Sequence, residues 1–138
     1  MGHQMDLDMV VGKYEEVGTW KDSDGNSGEL MGNFQEIRFH NSRLYFVYAG
    51  AEETQISDEI ESHDRPIRIS NKLGEGRIFI GDKSITLEYT ADVDGRVERN
   101  TDIWCFGTNS VQRYGLIRQD TRTIWFEAVM KRVQDTVA

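Results

Sequence analysis

Cysteine, proline and long apolar runs are nearly missing from this chain of 138 residues, and each absence excludes something. A lone cysteine, Cys105, cannot form an internal disulfide. A single proline, Pro66, leaves almost every backbone N–H able to join a hydrogen-bond ladder. No apolar stretch reaches the ~18 residues that a membrane-spanning helix needs. The opening MGHQMDLDMVVG has neither the basic start nor the apolar core of a secretory signal. Asp6 stands where a myristoylation site would want Ser or Thr. Together these absences predict a reducing, cytoplasmic setting. Bases are scarce as well: 16 Lys and Arg against 24 Asp and Glu leave a net charge of −8, which opposes nucleic-acid binding, since neutralising phosphates takes clustered cations. The imbalance is uneven, with 14 acids and 4 bases in residues 1–64 but 10 acids and 12 bases in residues 65–138.

What the chain does have is alternation. Residues 84–90 (SITLEYT) put Ile85, Leu87 and Tyr89 on one face and Thr86 and Glu88 on the other, the period-2 signal of a strand covered on one side. Asp92, Asp94 and Gly95 supply hairpin chemistry, and further strands over 97–106, 111–118 and 123–133 are parted by short turns. Connections this short allow only antiparallel neighbours. Upstream, residues 10–20 read as the first strand, with Tyr14, Glu16, Gly18 and Trp20 in phase, and 30–39, 43–49, 66–71 and 77–80 read as four more. The acidic segment 51–64 reads as a strand through Ile56 and Ile60 or as a short helix. Residues 1–9 are expected to be a flexible tail or a short lid and residues 134–138 a second tail, leaving 10–133 as one domain.

The class is therefore all-β, and either a sandwich or a barrel fits the spacing. Polar residues on both strand faces favour the barrel: residues 97–106 carry Val97, Arg99, Thr101, Ile103 and Cys105 on one face and Glu98, Asn100, Asp102, Trp104 and Phe106 on the other. A sandwich core would not tolerate several of these, whereas a barrel interior can hold polar groups and water. The expectation is an antiparallel up-and-down β-barrel of about 8–10 strands. Gly18-Thr19-Trp20 resembles the Gly-x-Trp signature of the calycin superfamily, which includes lipocalins and fatty-acid-binding proteins, and Gly12-Lys13-Tyr14 is a looser match with Tyr for Trp. The resemblance implies a lipocalin-like barrel in which the signature aromatic packs at the closed end against an Arg near the C-terminus. Arg132 is the residue here that could do so. Gly18, Trp20 and Arg132 are thus the expected structural residues. The chain departs from the family in having no helical pair after the first strand, no disulfide and no helix after the barrel.

Such a barrel implies a small hydrophobic or amphipathic ligand held inside. The expected ligand-binding residues are Tyr45, Tyr48, Trp104, Tyr114 and Trp125, with Arg99 and Arg113 as anchors for a carboxylate or phosphate. Either face of each strand could be the inner one. No metal is expected. His3, His40 and His63 match no zinc or haem spacing, and Asp22, Asp24 and Asn26 imitate the start of a calcium loop but are followed by Ser27 where Gly is required and Asn33 where a bidentate Glu belongs. Asp102 and Glu127 are a conceivable carboxylate pair across the barrel. No cofactor can be named and a homodimer is left open. Three functional readings stand: a small-molecule binding protein, an enzyme of isomerase, cyclase or lyase type on the same scaffold, or an interaction module using the acidic segment 51–64.

Overall fold

Alternating buried and exposed positions recur along ten strands in the computed structural model, which describes residues 5–48 and 54–133. The strands are β1 (Gly12–Asp22), β2 (Ser27–His40), β3 (Arg43–Tyr48), β4 (Gln55–Ser57), β5 (Ile67–Asn71), β6 (Gly74–Ile80), β7 (Ser84–Val93), β8 (Arg96–Phe106), β9 (Val111–Arg118) and β10 (Thr123–Arg132). Each pairs antiparallel with the next, and β1 also pairs with β10, so the meander closes into a barrel with no free edge. The expected all-β, antiparallel up-and-down barrel is what the chain forms. Among its described residues the acidic segment contributes the three of β4, in which Ile56 points outward between buried Gln55 and Ser57, and Ile60 lies outside any strand.

Two hairpins turn through left-handed pairs, Asn41–Ser42 with φ of 51° and 60° and Asp94–Gly95 with φ of 53° and 78°. That backbone twist matches the twist of the flanking strands. The Asp92 carboxylate secures the second turn by accepting from the Gly95 amide at 2.9 Å. Between β1 and β2 the register shifts at Glu16/Val17, opposite Gly32, whose φ of +73° a residue with a side chain would adopt only under strain.

The barrel has two unlike ends. At the lower end, which carries the 41–42, 81–83 and 107–110 connections, a 3-10 helix (Leu7–Met9) caps the opening. Leu7 and Val10 are buried against Tyr14, Ile37, Leu44, Ile85 and Met130. At about 1.5–3 kcal/mol for each fully buried large aliphatic, this packing outweighs what the polar sequence around Leu7 suggests. The segment expected as a tail or lid therefore enters the core at Leu7, and the first strand begins at Gly12 rather than at residue 10.

Arg132 corrects a second expectation. Its partner is Tyr14, not Trp20, because the β1–β10 register sets Tyr14 opposite Arg132 at the lower end while Trp20 sits near the upper end opposite Phe126. The Arg132 guanidinium lies 5.5 Å from the Tyr14 ring centre, donating to the Tyr14 hydroxyl at 3.0 Å and to the Met9 carbonyl at 2.7 Å. Tyr14 in turn donates to the Val10 carbonyl at 2.7 Å. The looser signature, Gly12-Lys13-Tyr14, thus makes the contact expected of Gly18-Thr19-Trp20. Trp20 covers Gly28, where any added Cβ would collide with the indole.

Candidate functional site

Midway up the barrel the apolar core gives way to a layer of charge. Residues two apart on a strand share a face, so the phase that buries Tyr14 also turns Glu16 inward on β1; on β8 the phase of Trp104 turns Asp102 inward; on β9 the phase of Val111 does the same for Arg113. Small neighbours leave room for the guanidinium: Arg113 pairs with Ala128, and Ala128 with Gly18, where an added Cβ would strike Ala128.

Arg113 holds Asp102 through two bonds, Nε to Oδ1 at 2.9 Å and Nη2 to Oδ2 at 2.8 Å, and donates from Nη1 to Glu16 Oε2 at 2.6 Å. Gln35 Nε2 approaches the same Glu16 oxygen at 3.5 Å. All three ionised side chains are about nine-tenths or more buried. Aromatic rings surround the guanidinium, with Phe126 at 4.6 Å, Tyr48 at 5.6 Å and Trp104 at 5.7 Å from ring centre to Cζ, each presenting a face that attracts a cation. Phe126 owes its position to Gly115, since a Cβ there would overlap its ring. Beneath the layer Trp104 stacks on Phe46 at 4.9 Å. Burial by itself would loosen the Arg113 proton, but the charge of Asp102 and its hydrogen bonds outweigh that and raise its pKa. Burial, reinforced by the charge of Asp102, pushes the Tyr48 phenol well above its usual range, so it stays a neutral hydroxyl.

Above this layer lies a cavity of about 310 Å³ at the upper end of the barrel. Asp102, Arg113 and Tyr48 form its polar floor with Asn100 and Gln55; Leu87, Ala91, Val93, Ile117 and Phe126 supply apolar wall. Glu98 lines it too and accepts from Gln119 Nε2 at 2.6 Å. Three polar atoms of the lining residues are buried without a hydrogen-bond partner: the Tyr48 hydroxyl, Gln55 Oε1 and Asn100 Oδ1. A larger hollow of about 490 Å³ adjoins the 3-10 helix at the lower end. None of its described lining residues leaves a buried side-chain polar atom unsatisfied.

Of the residues expected to bind ligand, the structure brings together Tyr48, Trp104 and Arg113. Tyr45, Arg99, Tyr114 and Trp125 are on the outer face, because each alternates with an inward neighbour: Tyr45 with Leu44 and Phe46, Arg99 with Glu98 and Asn100, Tyr114 with Arg113, Trp125 with Phe126. Arg99 lies instead in an outer depression beside Arg77 and Arg118. Glu127 also faces outward, so Asp102 meets Arg113 rather than a second carboxylate from β10. Sequence reasoning missed Glu16, Gln55, Asn100 and Phe126 as members of the site. The phase of Glu16 with Tyr14, and of Asn100 with Trp104, was the available signal.

The Asp22 loop has its own chemistry. Asp22 Oδ1 accepts from the Asp24 and Asn26 amides at 3.0 and 2.8 Å, and Oδ2 accepts from Arg122 Nε at 2.9 Å. Its carboxylate is committed to the turn and to Arg122. Among the described residues no three His, Cys, Asp or Glu side chains converge as metal ligands would, and no helix is long and apolar enough to cross a membrane.

No protein-family model matches this chain, and a search of curated proteins finds no relative.

Proposed function

We propose that the protein binds a small amphipathic molecule in the upper half of its barrel, as a carrier or sensor. One observation carries this reading: a cavity of about 310 Å³ whose walls are apolar and whose floor holds the unpartnered Tyr48 hydroxyl, Gln55 Oε1 and Asn100 Oδ1. Each such atom costs about 1–3 kcal/mol when sealed in a packed core, and a ligand or water within the cavity removes that cost. The volume falls at the small end of the ~300–1,000 Å³ typical of ligand sites. The calycin resemblance supports the same reading through the capped lower end, where Tyr14 and Arg132 make the aromatic–arginine contact that family would show. A cytoplasmic setting, suited to the free thiol of Cys105, and a homodimer belong to the same proposal.

Binding is favoured over catalysis by the direction of the pKa shifts. An acid–base catalyst works best with a pKa near the ambient pH. Tyr48 and Arg113 are both driven away from neutrality, and both carboxylates of the layer are bound to the guanidinium. The interaction-module reading is weakened because the acidic segment supplies β4, a stave of the closed barrel.

The test is a nuclear magnetic resonance titration of the whole protein with 1-octanol. Saturable shifts of the Gln55, Ala91 and Asn100 amides are expected, and Val93→Phe at the cavity rim should abolish them. Shifts confined to Val111 and Met130 at the lower end, or none at all, would overturn the proposal.

A further inference from the structure

Resting on that reading, we infer that the ligand's polar end is a cation that donates hydrogen bonds, a primary alkylammonium, rather than the carboxylate or phosphate for which an arginine in a barrel would ordinarily be suited. Arg113 is the one cationic side chain among the described residues lining the cavity, and its charge is already opposed by Asp102 and Glu16. That layer is one charge negative when all three groups are ionised, and Glu98 higher in the same cavity adds another carboxylate. An anionic head would bring a fourth negative charge against a single positive one, in surroundings where water screens poorly. An ammonium group reverses that balance.

The neutral lining is consistent with this. Gln55 is 7% exposed, and its Oε1, like Asn100 Oδ1, accepts no hydrogen bond within the protein. An ammonium carries three N–H donors and no acceptor, which suits two unpartnered carbonyl oxygens beside carboxylates that retain spare lone pairs. The apolar wall then receives the hydrocarbon part.

Titration calorimetry of the full chain with three probes of equal length, 1-octanol, octylamine and octanoate, separates the two levels of the argument. Octylamine is expected to bind at least tenfold more tightly than octanoate, with octanol between. Gln55→Leu should weaken octylamine about tenfold, and unchanged amide resonances of Ile85 and Met130 in the lower half should show that the variant still folds. Asn100→Leu should act in the same direction. Octanoate binding as tightly as octylamine or better would overturn the cationic ligand and leave the cavity reading standing. Octylamine binding unchanged in both variants would overturn the assigned acceptors. Failure of all three probes would overturn the binding site itself.

Discussion

The two halves of the barrel are made of the same strands yet filled in opposite ways. Below the Glu16–Arg113–Asp102 layer, Leu7, Val10, Ile37, Leu44, Ile85 and Met130 close-pack under a helical cap. Above it, small residues such as Ala91 and Gly115 line the same staves, half-buried Ile117 does not fill the space, and polar atoms lack partners. The lower half is packed by apolar side chains and the upper half holds the polar-floored cavity. The charged layer is the boundary: it ends the apolar core and supplies the floor of the cavity.

The largest effect expected from breaking this division is at Arg113. Arg113→Met leaves Asp102 and Glu16 buried without their partner, and about 3–5 kcal/mol of stability should disappear in urea denaturation. A triple variant, Glu16→Gln with Asp102→Asn and Arg113→Met, should recover most of it, because no uncompensated charge is left. A loss under ~1 kcal/mol for the single change would mean that the layer is not the boundary described.

Next in size is a matched pair of truncations, one from each half. Leu44→Ala in the filled half should cost about 2–5 kcal/mol, since the space it leaves cannot collapse. Ile117→Ala, whose side chain borders an existing cavity, should cost under ~1.5 kcal/mol. Equal losses in thermal or urea melts would erase the contrast.

The smallest effect lies at the rim and appears only in acid. Burial tends to raise the Asp22 pKa, but the Asn26 amide, Arg122 and the Asp24 amide more than offset it, and the folded-state value is lowered. A group depressed in the folded state contributes stability that is present above its unfolded pKa, ~3.9, and is lost as pH falls through the lower folded value. Asp22→Asn should therefore flatten the stability profile below about pH 4 while the wild type continues to lose stability. Profiles with the same slope would show that the Asp22–Arg122 contact adds nothing.

The apolar alternation and the turns were legible in the sequence, and the polar inner faces were not. Ile85, Leu87 and Tyr89 announce their face by clean alternation, and the hairpin at Asp94–Gly95 by its residue types. The β8 strand announces nothing comparable, because Asp102 and Asn100 are inward while Ile103 and Val97 are outward. A polar inner face reads as a surface until its partner is known, and Arg113's partners lie 11 and 97 residues away. Periodicity also could not choose between Tyr14 and Trp20 as the partner of Arg132, since both share one phase of β1; only the register with β10 decides it. Leu7 escaped because the alternation of Met5, Leu7 and Met9 with Asp6 and Asp8 is too short to tell a capping turn from a tail.

Every strand pairs with its neighbour in the chain, and the first pairs with the last as well, a contact that only the complete meander allows. Until then Glu16 has no access to Arg113, and a pairing with the wrong register would bury that carboxylate alone. Long-range closure of this kind slows folding, since loop entropy is lost before the contacts form. The Glu16–Arg113 pair is therefore satisfied only in the native circuit, where β1 and β10 meet in the register that brings the two side chains to 2.6 Å.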